Sequence, residues 1–256
     1  MISLYGYPPA APDSTLVPSS VKQSKPNPHL ADVVRIMRAA GPTDIHAVVV
    51  GMCNLCMDYY RTSLRSVYAD TVRMLQATPQ EPVSEIFNAF DHFARATEVT
   101  SRIGSIAAQG GSDISGELPT AFLEIERARL HIAVAVFYCH EHMLVYLRNR
   151  LADEVQRIMA KLSSRKAADK QFIHNVRMKL ADLDQRVGEV RLSTPRVHTV
   201  ARAVREITRI EKKSEQLCAL LNEHMRVTLD VHNRFDAFRQ TLDRTMKRDL
   251  GGSLFG

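Results

Sequence analysis

The chain of 256 residues contains no tryptophan, and aromatic side chains make up only 6% of it. β-Sandwiches and β-propellers rely on aromatic and β-branched strands, so this scarcity counts against both. Long apolar runs are missing too. The longest, Ile132 to Cys139, has eight residues, far below the ~20 that a bilayer crossing needs, and no membrane-spanning segment is expected. The sequence does not open with a basic stretch followed by an apolar one, so no secretory signal is expected either. Cysteine is sparse: four scattered residues read as reduced intracellular thiols rather than a disulfide framework. Of the 11 prolines, nine precede residue 83, which leaves most of the chain almost free of helix breakers.

Common catalytic signatures are also absent. There is no GxxxxGK(S/T), no GxGxxG after a strand, no GxSxG and no HExxH, so no enzyme is expected. Cys53-Asn54-Leu55-Cys56 and Cys139-His140-Glu141-His142 do hold ligand-type side chains. Both lie inside helical patterns, where His140 and His142 point roughly 200° apart, and Cys56 falls on an apolar face. No metal site and no cofactor is expected. The other histidines show no nucleophile–base grouping.

What the sequence does have is unevenly placed positive charge. Residues 1–120 carry 9 Lys/Arg and 11 Asp/Glu, a net of −2; residues 121–256 carry 25 and 17, a net of +8. Arg148 to Lys179 holds nine bases and three acids, and Arg186 to Lys213 eight bases and three acids. Such concentration attracts a polyanion: a nucleic acid, an acidic protein or an anionic lipid leaflet. The alternative is a solvated helix face.

Residues 1–28, rich in Pro, Ser and Ala, are expected to be a disordered tail. Residues 29–42 read as a short amphipathic helix with Val33, Ile36, Met37 and Ala40 on one face, ended by Gly41-Pro42. It would either insert at a membrane interface or cap its own domain. Residues 43–250 read as one helical domain and 251–256 as a tail. A first helix capped by Asp44 buries Ile45, Val49, Met52, Cys56, Tyr59, Leu64, Val67 and Leu75; a second, capped by Ser84, buries Ile86, Phe90, Phe93, Ile103 and Ala107. Gly110-Gly111-Ser112 to Pro119 reads as a loop. Beyond it, steps of four and three run through Leu130, Val134, Phe137, Glu141, Leu144, Arg148, Leu151, Val155, Ile158 and Leu162. The register slips at Ser163-Ser164 and resumes from Ile173 to Val190. Gly188 and Ser193-Thr194-Pro195 read as a reversal, followed by a last helix from Arg196 to Leu250. At ~1.5 Å per residue these two long helices would span roughly 100 and 80 Å. The expected fold is all-α: an elongated antiparallel coiled-coil bundle of three long helices, completed by homodimerisation.

This order of elements, together with the segment from Val200-Ala-Arg-Ala-Val-Arg-Glu-Ile-Thr-Arg-Ile to Met246, resembles the BAR-domain family of membrane-curvature proteins, in particular its subgroup at the ciliary base. The resemblance covers about residues 44–250. It implies a crescent dimer on anionic phospholipid, in the cytoplasm, with the cilium or basal body as a location. The lipid-binding residues it implies are Arg148, Arg150, Arg157, Lys161, Arg165, Lys166 and Lys170 on a concave face, and Arg191, Arg196 and Arg202 near the tip. Two other readings stay open. One is a coiled-coil scaffold or tethering subunit that meets other coiled-coil or acidic proteins. The other is a nucleic-acid binder, disfavoured because the basic stretches hold few aromatics for base stacking.

Overall fold

The computed structural model describes residues 45–109, 116–161, 167–206 and 212–250. Among them there are helices and no strand, as an all-α chain requires. Helix α1 (Ile45–Tyr59) passes through a π-helical turn, Tyr60–Leu64, into α2 (Arg65–Leu75). Then come α3 (Gln80–Ala108), α4 (Glu117–Lys161), α5 (Ala167–Glu206) and α6 (Lys212–Leu250). The expected tail, the amphipathic helix over 29–42, the cap Asp44, the glycines 110–111, the register slip at Ser163-Ser164 and residues 251–256 lie outside the described residues.

All the other helices pack on α4. Helix α3 runs antiparallel to it, with contacts Arg102–Glu117, His92–Glu124 and Glu85–His131 as one numbering falls and the other rises. Helix α5 is also antiparallel, through Tyr138–His198 and Arg148–Asp184. Helix α6 lies parallel to α4, through Arg129–Cys218 and His140–His232. With neighbours on every side, Ala128 to His140 form thirteen consecutive buried residues, where a one-sided amphipathic helix would bury three or four in seven. Within Glu117–Ala160 one window is apolar enough to cross a membrane by composition alone. Of that window 78% is buried against protein, which is how the core helix of a bundle reads.

Most of the expected seam is in place. Val49, Met52, Cys56, Tyr59, Leu64, Val67, Phe93 and Ile103 are buried, as are Leu130, Val134, Phe137, Leu144, Leu151, Val155 and Ile158. Two local expectations on α3 fail. Helix α2 stops at Gln76, in the left-handed region (φ 51°), so α3 starts at once after Pro79 and Ser84 is an interior, exposed residue rather than a cap. Pro82 and, on α4, Pro119 sit in first turns, where the missing N–H has no intrahelical partner to lose. Phe90 is 41% exposed and packs edge-on to Tyr60 at 5.1 Å.

The larger correction concerns residues 188–195. No reversal occurs there: α5 is one helix from Ala167 to Glu206. Val176, Leu183, Val190, Val197 and Val204 recur every seven residues and all are buried, with Val187 and Ala201 buried beside them. That unbroken heptad outweighs the cost of about 3 kcal/mol for an interior proline at 195. Val200 to Glu206 therefore belong to α5, and the two long helices expected beyond Pro119 resolve into three shorter ones: the first is divided into α4 and the antiparallel α5, and the last starts at Lys212 as α6. Gly188 stands mid-helix, and a Cβ added there would meet nothing within 4 Å. Gly188→Ala should accordingly stabilise the protein by about 1 kcal/mol in thermal unfolding; a turn at this point would give no gain.

Candidate functional site

Two groups of polar residues stand out, one inside the fold and one on its surface. The interior group comes from a repeated spacing. Glu85 and His92 are seven apart on α3, and Glu124 and His131 are seven apart on α4. Antiparallel packing makes the pairs reciprocal. Glu85 Oε2 accepts from His131 Nδ1 at 2.5 Å, and Glu124 Oε2 accepts from His92 Nδ1 at 2.6 Å. The two imidazoles stack at 5.3 Å with an interplanar angle of 9°, and Arg127 donates to the other Glu124 oxygen at 2.9 Å. Burial holds His92 below its ordinary value, more strongly than Glu124 raises it. The spacing is visible in the sequence, but only the pairing of α3 with α4 gives it meaning.

Deeper still, Arg129 (2% exposed) donates through Nε to Glu126 Oε2 at 2.8 Å and through Nη2 to Glu126 Oε1, and its Nη1 lies 3.3 Å from Cys218 Sγ on α6. His140 and His232 meet at 5.4 Å between ring centres, and His232 Nε2 donates to the His140 carbonyl at 3.3 Å. Burial drives His140 well below its ordinary value and takes His232 down to about 3. The thiols respond the other way: burial pushes Cys139 up to about 12 and raises Cys53 and Cys56 as well. Protonated thiols are poor nucleophiles and poor metal ligands. Among the described residues, no group of three or more His, Cys, Asp or Glu is placed to hold a metal. The apolar depression walled by Tyr60, Leu64, Ile86, Ala89, Phe90, Phe93 and Ile132 has no room for a water molecule. These interior contacts join α3 to α4 and α4 to α6 and so fix helix against helix.

The surface group lies on α5. Lys170, Arg177, Asp184, Arg191 and His198 form a row at seven-residue spacing, and the row runs along the α4 edge. Asp184 takes two hydrogen bonds from Arg148, at 2.7 and 3.3 Å, and His198 Nδ1 lies 2.7 Å from Tyr138 Oη. On the opposite rim Lys179 sits 6.0 Å over the Phe238 ring. Between Lys170 and Val204, seven bases face three acids. Asp182 is tied to Arg186 at 3.2 Å. Lys170, Arg177, Lys179, Arg191, Arg196 and Arg202 are exposed and make no ion pair among the described residues.

None of the family models, curated proteins or solved structures compared with this chain matches it.

The residues expected to bind lipid are thus sorted by geometry. Arg148 is engaged with Asp184, and Arg150 lies 3.4 Å from Glu154. Arg157 is exposed beside a shallow surface cleft with Asp153, Gln156 and Ala160. Lys161 ends α4, and Arg165 and Lys166 lie outside the described residues. Lys170, Arg191, Arg196 and Arg202 share α5, the last three along the helix body rather than at a hairpin tip. Arg177 and Lys179, counted in the first basic stretch but not among the expected lipid-binding residues, are also exposed on α5.

Two outcomes follow for the interior. Arg129→Met leaves Glu126 buried without its counter-charge and should cost about 3–5 kcal/mol in urea unfolding, while adding Glu126→Leu should restore most of the loss. The folded protein also binds fewer protons than the unfolded chain at His140 and His232. Their contribution is therefore complete above about pH 6.5 and drains away as the pH falls toward 3. His232 alone should cost about 2 kcal/mol at pH 5, and His232→Gln should flatten the stability profile between pH 6.5 and 5.

Proposed function

We propose that this chain is a non-catalytic peripheral membrane protein that lays α5 on anionic phospholipid, working as a homodimer. The observation that carries the reading is the set of six exposed bases on one helix, none of them in an ion pair among the described residues. From Lys170 to Arg202 they extend over about 50 Å. Each Lys or Arg close to an anionic leaflet contributes on the order of 1 kcal/mol, so four or five engaged per chain give reversible attachment, and a dimer doubles the number. The resemblance to BAR domains supports the dimer, curvature sensing or induction, and a cytoplasmic site of action that includes the ciliary base. On this reading the lipid-facing residues are Lys170, Arg177, Arg191, Arg196 and Arg202, with Arg157 adjoining. Arg148 serves instead to brace α4 against α5.

A second reading, a coiled-coil scaffold subunit, draws on a different place. Phe87 is 71% exposed on α3 and Phe90 41%, which suits a protein partner better than a lipid headgroup layer.

Co-sedimentation with neutral and anionic vesicles at low and moderate salt separates the two. Pelleting is expected with phosphatidylserine-containing vesicles only, and to weaken as salt rises. Reversing Lys170, Arg177, Arg191 and Arg202 to Glu should abolish it with the far-UV circular dichroism unchanged. Pelleting that survives the reversal removes the α5 assignment. Light scattering should return a mass near twice 28.8 kDa.

A further inference from the structure

Resting on that reading of α5, we infer that Met178 and Leu192 form an apolar wedge that enters the boundary between lipid headgroups and acyl chains when the basic face docks. Leu192 is 78% exposed and Met178 60%. They are fourteen residues apart, four turns of a heptad helix, so they share one azimuth and stand about 21 Å apart along the axis. A flat surface laid along α5 meets both at once.

What lies around them fits lipid. Arg177 and Lys179 flank Met178 on its two sides, Arg191 precedes Leu192, and Arg196 follows one turn on; all four are exposed. Long basic side chains of this kind keep their charge at the headgroup level while their stems lie along an inserted apolar group. The small residues Ala181 and Gly188 lie beside the line from Met178 to Leu192, and the only side chain on that line between them is the flexible, exposed Gln185. Of the acids on this face, Asp182 is tied to Arg186 at 3.2 Å and Glu189 accepts from Gln185 at 3.3 Å. A partner helix would need an apolar residue at every turn. Here the intervening ridge position is Gln185, and the next after Leu192 is Thr199. Two isolated apolar side chains in a field of bases suit a surface into which each inserts by itself.

Because the chain has no tryptophan, Leu192→Trp gives a single reporter in the full-length protein. With vesicles of phosphatidylcholine and phosphatidylserine at low salt, the introduced indole should shift its emission to the blue and be quenched by lipids brominated near the headgroup end of the acyl chain. The double variant Met178→Ala, Leu192→Ala should partition at least about tenfold more weakly at moderate salt with unchanged helicity. An indole that stays unshifted and unquenched on protein that pellets with vesicles overturns the wedge and leaves the basic face standing. So does a double variant that partitions like the parent. Failure of the parent protein to pellet at all overturns both.

Discussion

Helix α4 is enclosed by other helices along Ala128 to His140, and most of the structure follows from that enclosure. A helix covered on all sides cannot turn a polar face to water. Its sequence there is Ala-Arg-Leu-His-Ile-Ala-Val-Ala-Val-Phe-Tyr-Cys-His, with alanines that let neighbours approach and only a few polar groups. Most of those groups are answered from within. Arg129 has Glu126 and Cys218, His131 has Glu85, and Tyr138 has His198. The carbonyl of Cys139 receives Thr71 at 3.5 Å, and that of His140 receives His232. The partners come from α2, α3, α4 itself, α5 and α6, so one short stretch ties the separate helices to a common reference.

Apolar seams resist sliding weakly, since one valine fits nearly as well as the next. Paired polar groups resist it strongly, because a slip of one turn leaves a buried charge without its partner. The reciprocal Glu85–His131 and His92–Glu124 bridges set the register of α3 on α4. Arg129 against Cys218 and His140 against His232 do the same for α6. A buried polar layer that specifies alignment at some expense in stability is a known device of coiled coils.

The helical content, the core positions of α1 and α4 and the concentration of bases in the second half are legible in the sequence, because each is a matter of local period or count. The expected break in α5 fails because a local stop signal, Gly188 with Ser193-Thr194-Pro195, weighs less than the register. Val190, Val197 and Val204 continue the seven-residue interval straight through it, and seam continuity reflects a partner helix that local propensity cannot show. The same signal divides the candidate site, assigning Arg191, Arg196 and Arg202 to a tip when they share a helix with Lys170 and Arg177. The exposure of Phe90 and the engagement of Arg148 depend on which helix lies alongside, and no pattern within one helix reports that.

The parallel course of α6 along α4 bears on how the chain comes into being. During synthesis α1 to α4 emerge first and can pair through the α3–α4 bridges alone. The flank of α4 that will meet α6, with Arg129 and the His140 carbonyl, then stays open until Cys218 and His232 have followed. Arg129 already holds Glu126 three residues away on the same helix. The buried cation of that flank is thus neutralised before its last neighbour exists, and the nascent chain waits with an apolar groove rather than a bare charge.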